Sequence, residues 1–251
     1  MPRRRPEDQI SPDRPIDLLF DVNTPTVCDA IEVIQGRRGY ENFTRKPFVL
    51  AGATGGPIVG PACTAKIAGA MPPNEDPEVL RARRLDYYEY VFKTGREWPD
   101  TSPFYPIMVM EDTDGEGSAA AFWGEVNAAI HARAKISGVI TNGVVRDLDK
   151  LHEYYFAIMA GSVGVSHGHV HVSDFDCPVT VHGMKVSPGD MIHADQHGAV
   201  VIPAEVLDEL PKAIRTLGET EAIVLDIVQE PSSGFSDLRK AWREFEQARV
   251  K

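Results

Sequence analysis

A chain of 251 residues, 43% hydrophobic and 25% charged, has the composition of an ordinary globular protein and enough length to bury a sizeable core. Its formal net charge of -11 argues against nucleic acid or an anionic membrane as the main partner, and an anionic substrate would need a local positive spot. The three cysteines, Cys28, Cys63 and Cys177, lie far apart without a CxxC pair, no signal-peptide stretch opens the sequence and no window nears a membrane span, so a cytoplasmic protein without disulfides is expected.

In chain order, the charged, proline-rich start reads as a loose arm. TVCDAIEVI places Val27, Ile31 and Ile34 at helical spacing, with Thr24 or Thr26 as a cap and Gly36 as a stop. VLAGATGGPIVGPACTAKIAGAM reads as strands broken by turns, since its glycines lack the Lys-Ser/Thr of a phosphate loop. From about Pro77 the sequence predicts an amphipathic helix with a solvated charged face and an aromatic stripe on the core. PIMVMED is a short apolar strand, and GSAAAFWGEVNAAIHARAKISG a loop followed by a helix with Gly138 as its C-cap. GVITNGVVRD reads as a strand leading into a polar turn, and LDKLHEYYFAIMAGSVGV as a short helix and a strand. Strands and turns then alternate, with turns at His182-Gly183, Pro188-Gly189-Asp190 and His197-Gly198. Val206, Leu207, Leu210, Ile214 and Leu217 share one face of a helix over 204–227, and SDLRKAWREFEQARVK predicts a charged terminal helix. The order is that of an α/β (α+β) domain with more than one sheet layer.

The block most suggestive of chemistry is Trp123-Gly124-Glu125 followed, 22 residues beyond Gly124, by Arg146-Asp147. Gly124 stands where a loop becomes a helix. The first helical turn has unpaired N–H groups and the positive end of the dipole, so a carboxylate docks there, and glycine lets it come close. If helix and returning strand lie against one sheet, Arg146 and Asp147 come back beside that nest. An arginine, a hard oxygen ligand and an anion nest are the parts needed to chelate a divalent ion together with a 2-oxo acid. Taken alone, an Arg-Asp dipeptide after a strand is more often a surface ion pair or turn.

The surroundings add weight. WGEVNAAIHARAKISGVITNGVVRDLDKL resembles the GE–(helix)–GVVxDGxVRDxxxL block of the RraA-like family. PTVCDAIE resembles that family's early helix, and PVTVHGMKVSPGDMIHADQHGAVVIP its PGD and VVVIP stretch, so the likeness runs in order over roughly residues 24–225. The family includes 4-hydroxy-4-methyl-2-oxoglutarate / 4-carboxy-4-hydroxy-2-oxoadipate aldolases and proteins named as regulators of ribonuclease activity.

The resemblance implies a swivelling β/β/α-type single domain with layered sheets and flanking helices. It implies an arm over 1–23, a catalytic domain over 24–228 and a helical extension over 229–251. Gly124 and the amides of Glu125, Val126 and Asn127 would hold the carboxylate of a small 2-oxo acid. Arg146 would contact its oxo and carboxylate oxygens, and Asp147 would hold Mg²⁺ or Mn²⁺. The implied activity is a metal-dependent carbon–carbon lyase releasing pyruvate from a 4-hydroxy-2-oxo (di)acid, in a homotrimer or hexamer with the site at a subunit interface. Glu219 or Glu221 from a neighbouring subunit are candidates, by approximate position, for the base that takes the 4-hydroxyl proton. An oxaloacetate-type decarboxylase would use the same parts without that base. A protein-binding regulator of a ribonuclease is the reading from another class. Three departures stand out: Lys150 where the family has an acid, Asn142 where it has an aspartate, and extra length that includes 72–100.

Other residues invite weaker readings. His167, His169 and His171 alternate as on one face of a strand; a transition-metal site is the sharp reading, a polar strand face lining an interface or the pocket the preferred one. His193 and His197 suggest turn and surface roles, Asp190 a turn closed on backbone N–H groups, and Cys63 and Cys177 core positions.

Overall fold

The computed structural model describes residues 15–52, 55–99, 101–115 and 117–249. The first fourteen residues of the expected arm, and part of the Gly-rich turn before Pro57, lie outside the described residues. The remainder of the arm opens with a short 3-10 helix, Pro15–Phe20, and Leu19 within it is fully buried.

Helix α1 (Thr24–Gln35) is capped by Asn23, one residue before Thr24 and three before Thr26, the two proposed caps. Asn23 accepts the Thr26 N–H at 2.9 Å, while Gly36 ends the helix at φ +64° as expected. Strands β1 (Val49–Ala51) and β2 (Ile58–Ala68) follow, then α2 (Pro77–Glu97), β3 (Ile107–Asp112), β4 (Ala121–Trp123) and α3 (Glu125–Arg133). The expected loop before α3 therefore contains a strand. Gly138 does not cap α3: the helix stops at Ala134, Lys135 turns the chain at φ +65°, and Gly138 opens the next strand.

Next come β5 (Gly138–Thr141), β6 (Val144–Val145), α4 (Leu148–Leu151), β7 (Ala157–Ala160) and β8 (Ser162–Val163). Strands β9 (His171–Phe175), β10 (Val179–Val181), β11 (Met184–Val186), β12 (Met191–Asp195) and β13 (Gly198–Ile202) precede a second 3-10 turn at Ala204–Val206, α5 (Leu210–Gln229) and α6 (Phe235–Arg249).

The main sheet runs β1-β7-β5-β3-β2-β12-β13. Its centre, β2-β3-β5-β7, is parallel and buried on both faces, which is why IMVM and AIMA are continuous apolar runs without alternation. β2 spans 11 residues, so one of its edges carries β12 on its first half and β9 on its second. Two small sheets complete the layers: the β10-β11 hairpin, turned at His182 (φ +50°) and Gly183 (φ +86°), and β4-β6-β8. The result is a mixed α/β domain with a curled sheet and flanking helices.

One face of the sheet packs against α2 and α3 through Tyr87, Val91, Trp123 and Phe156. Gly95 permits the approach of α2, since a Cβ there would stand 1.6 Å from the Ala134 carbonyl oxygen. A second cluster joins α1 and α5 through Ile31, Leu210, Ile214 and Leu217. A third lies under β10-β11.

Two histidines are core elements. His193 is not at a turn or the surface. Fully buried in β12, it bonds Thr24 Oγ1 through Nδ1 (2.9 Å) and the Leu19 carbonyl through Nε2 (2.8 Å), tying the first 3-10 helix and α1 to the β12-β13 hairpin. His131 in α3 donates from Nδ1 to the Asn127 carbonyl (2.7 Å) and meets the Tyr87 hydroxyl with Nε2 (2.6 Å). Burial holds its pKa down at about 4, only partly offset by the Asn127 carbonyl. Burial also lowers that of His193. Both rings are neutral in the fold, whereas in the unfolded chain they take up protons near pH 6.5. Stability should therefore fall as pH drops from about 6.5 towards 4, by roughly 3 kcal/mol from His131 alone. Urea midpoints measured across that window should decline with acid, and His131→Gln should be less stable at neutral pH but visibly flatter. An unchanged slope in the variant would assign the acid sensitivity elsewhere.

Candidate active site

The small sheet β4-β6-β8 organises the site. β4 runs directly into α3, and β6 runs directly into Arg146-Asp147. The two strands are parallel neighbours, with Trp123 opposite Val145 and the Arg146 N–H donating to the Trp123 carbonyl at 2.9 Å. Strand register thus brings the arginine and aspartate beside the N-terminus of α3.

The return expected from sequence is present, but GVITNGVVRD is not one strand. β5 belongs to the main sheet, the chain kinks at Asn142-Gly143, and β6 joins the small sheet. The kink is clamped: Asn142 Oδ1 accepts the Asp112 N–H and its Nδ2 donates to the Asp112 carbonyl, both at 2.8 Å. An aspartate at 142 could not donate that second bond, which gives this departure from the family pattern a structural reason.

Gly124 is needed for close approach. A Cβ on it would lie 2.5 Å from Asp147 Oδ2 and 3.2 Å from Arg146 Cγ, so both side chains lie over its bare Cα. Asp147 Oδ2 accepts the Glu125 N–H at 3.2 Å, and Arg146 Nε stands 3.6 Å from the same oxygen. Arg146 and Asp147 are each a little over one-third exposed (36% and 38%), so both are anchored yet open to a ligand. Asp147 adopts φ +58°, a left-handed conformation that aspartate tolerates better than most residues.

Gly124, Val126, Asn127, Arg146 and Asp147 line one cavity of about 510 Å³. Glu125 contributes differently from expectation: its amide goes to Asp147, and its carboxylate accepts the Tyr154 hydroxyl at 3.1 Å. Val126 is 70% exposed at the mouth of the helix. The Asn127 side chain is fixed by the Phe122 carbonyl (2.6 Å) and the Tyr88 hydroxyl (2.8 Å). Glu219 and Glu221 are not in this cavity. They are exposed on α5, which packs on α1, α6 and the first 3-10 helix. Lys150, at the family's acid position, is exposed on α4; its N–H donates to the Asp147 carbonyl at 2.9 Å and its carbonyl accepts the Glu153 N–H at 3.2 Å.

The far wall was not foreseen. Leu80, Arg81, Arg84 and Tyr88 face the cavity from α2, a second stripe beside the one formed by Tyr87 and Val91. Arg84 donates to the Val170 carbonyl at 3.1 Å. Burial pushes the Tyr88 phenol up, and the nearby Arg84 charge opposes that. His167, His169 and His171 line the same cavity, but they do not share a strand face. Residues 167–170 form a turn with Gly168 at φ +50°, closed by Val170 N–H to the His167 carbonyl at 3.0 Å, and β9 begins only at His171. The sequence signal for the wall was the RARR run on an otherwise ordinary amphipathic helix.

Asp147 is the carboxylate among the described residues of the cavity. Among the described residues no group of three His, Cys, Asp or Glu is placed to hold a metal ion. That donor set does not suit zinc, which takes three or four protein ligands. It suits Mg²⁺, which keeps several waters and binds through one or two carboxylates and its substrate.

Known proteins resemble this chain in sequence and in fold. The family model described as RraA-like: Aldolase/RraA matches residues 24–201. Protein DlpA of Legionella pneumophila is 24% identical over 194 residues, covering 76% of this chain and 28% of DlpA. A Stutzerimonas stutzeri protein provisionally named a 4-hydroxy-4-methyl-2-oxoglutarate aldolase is 34% identical over 99 residues, 39% of this chain and 59% of that one. The chain thus spans under two thirds of the length of either relative. In fold it is similar to Streptomyces coelicolor RraAS2, described as an unusual member of the RNase ES inhibitor RraA protein family, with a TM-score of 0.62, 21% identity, and coverage of 88% and 97% of the two chains. An uncharacterised Pseudomonas syringae protein has a TM-score of 0.60 at 19% identity, over 90% and 92%.

Proposed function

The chain belongs to the RraA-like (Aldolase/RraA) family, and from that premise we propose that it is a divalent-metal-dependent carbon–carbon lyase releasing pyruvate from a small 4-hydroxy-2-oxo acid. The observation that carries this reading is the meeting of Gly124, the first turn of α3, Arg146 and Asp147 in one cavity.

Asp147 would hold Mg²⁺ or Mn²⁺, which when bound supplies a Lewis acid against the oxo group. The chain's own residues do the rest. With the Glu125 amide given to Asp147, the Val126 and Asn127 amides and the dipole of α3 are left for the substrate carboxylate. The Arg146 fork bonds the oxo and carboxylate oxygens and fixes the head of the substrate. When the C3–C4 bond breaks, its electron pair moves onto the pyruvate half, and Arg146 is poised to stabilise that charge. The 4-hydroxyl gives its proton to a base and C4 becomes a carbonyl. Glu219 or Glu221 would have to come from another copy, so this reading keeps the homotrimer or hexamer as part of the proposal. Within the chain, the imidazoles of His167, His169 and His171 line the cavity. Because Asp147 is the cavity's carboxylate and is committed elsewhere, decarboxylation of oxaloacetate, which needs no hydroxyl base, is the second reading.

The test is pyruvate release from a panel of 4-hydroxy-2-oxo acids and oxaloacetate, with a chelator and with Mg²⁺ or Mn²⁺ restored. Release should vanish with the chelator and return with the metal. No metal-stimulated release from any member, together with capture of a ribonuclease or helicase, would replace the lyase by a binding role.

A further inference from the structure

We propose that Arg84, assisted by Arg81, is the tail-binding determinant of this chain, a second anion subsite on α2 that takes the distal carboxylate of a 2-oxo diacid. The inference deepens the lyase reading and rests on it for the identity of the substrate's head.

The charge distribution is the starting point. The protein carries a formal charge of -11, yet this cavity gathers Arg81, Arg84 and Arg146 against a single aspartate. Arg146 and the start of α3 occupy one wall and account for the head of a 2-oxo acid. The other two arginines come from a different element, α2, with the imidazole of His169 beside them, while His171 donates from Nδ1 to the His169 carbonyl at 2.9 Å. Pyruvate alone would leave that wall unused.

Neighbouring arginines have partners. Arg83 is tied to Glu75, and Arg81 touches Glu78 one turn back. Arg84 differs: half-buried, it donates to the Val170 carbonyl, and among the described residues no carboxylate is paired with it. A guanidinium has five donors and keeps its charge, so one bond to a neutral carbonyl leaves both capacity and charge for a ligand anion. Its position is fixed. Gly95 allows α2 to seat against α3, the Tyr88–Asn127 bond joins α2 to the head-binding helix, and the bond to Val170 braces Arg84 against the histidine turn. Both ends of the cavity are therefore held in one rigid frame, the arrangement that reads chain length and tail charge together.

Calorimetry on the full chain with Mg²⁺ tests this. Wild type should bind 2-oxoglutarate and 2-oxoadipate more tightly than 2-oxopentanoate and 2-oxohexanoate, roughly ten- to a hundred-fold for one charge-assisted contact. Arg84→Gln should erase the preference and leave the monoacids unchanged. Arg84→Lys, which keeps the charge, should retain part of it, and Arg81→Gln should weaken it less. Equal binding of mono- and diacids by wild type, or a preference that survives Arg84→Gln, overturns the subsite. So does an Arg84→Lys loss as complete as that of Arg84→Gln, which would mean that Arg84 acts only by bracing Val170. Glutarate, with the tail and no oxo group, separates the two proposals. Arg84-dependent binding of glutarate equal to that of 2-oxoglutarate keeps the subsite while removing the 2-oxo acid head reading. Failure of all six diacid and monoacid ligands, glutarate and pyruvate included, removes the subsite.

Discussion

Asp147→Ala is expected to abolish metal-stimulated pyruvate release, a fall of about a hundred-fold or more, since a Lewis acid at a carbonyl is worth several kcal/mol. The substitution is not silent in the fold. Asp147 sits at φ +58°, where alanine costs roughly 1–2 kcal/mol, and its Oδ2 satisfies the Glu125 N–H at the start of α3. Asp147→Asn separates the two roles. Asparagine accepts the left-handed backbone and can still receive the Glu125 N–H, but it carries no charge for a cation. The Asn variant should melt within a few degrees of wild type, as expected for a loss near or below 1 kcal/mol, and should be as inactive as the Ala variant. Titration with Mn²⁺ should show binding lost in both. Wild-type metal-dependent turnover in Asp147→Asn would show that the ion is held elsewhere.

Much of this frame is legible in the sequence because it rests on local rules. Gly36 ends α1 where a left-handed residue is needed, the apolar runs of β3 and β7 mark a doubly covered parallel sheet, and the Val206-to-Leu217 stripe finds its core. The head of the site is legible as well, since Gly124 and the Arg-Asp pair follow strands whose register brings them together. What is hidden depends on contacts distant in sequence. β4 and β6 have three and two residues, too few for any periodicity, and only their mutual pairing makes them strands. The cavity stripe of α2 looks like a solvated face, because charged residues at helical spacing read the same whether they meet water or a ligand. Alternating histidines suggest a strand, and only Gly168 at φ +50° turns them into a loop. His193 looks exposed between turn residues, yet Thr24, 169 positions earlier, buries and bonds it.

Arg146→Lys should lower turnover as well as weaken binding, and this is the sharper of the two tests. The Arg146 backbone is fixed by its bond to the Trp123 carbonyl, and its side-chain stem passes over Gly124, with Cγ and Nε at 3.2 and 3.4 Å from where a Cβ would be. The guanidinium is therefore delivered to the head of the cavity at a set angle, with its Nε end 3.6 Å from Asp147 Oδ2. Lysine keeps the charge but replaces a planar fork by a point donor on a flexible stem. If Arg146 only neutralised charge, the change would be mild and confined to KM. If it bonds the carboxylate and the oxygen on which charge develops, the lost contact is made more strongly in the transition state than in the ground state. By analogy with removal of one oxyanion donor, that loss is roughly 2.7–4 kcal/mol, or about a hundred- to a thousand-fold in kcat. Arg146→Ala should be at least as severe. Both changes remove the guanidinium beside Asp147 Oδ2 but leave the carboxylate itself in place, so Mn²⁺ should still bind both variants, and the defect will lie with the substrate. Steady-state kinetics with the best substrate of the panel decides the matter: a normal kcat with only a raised KM would make Arg146 a binding residue that takes no part in breaking the bond.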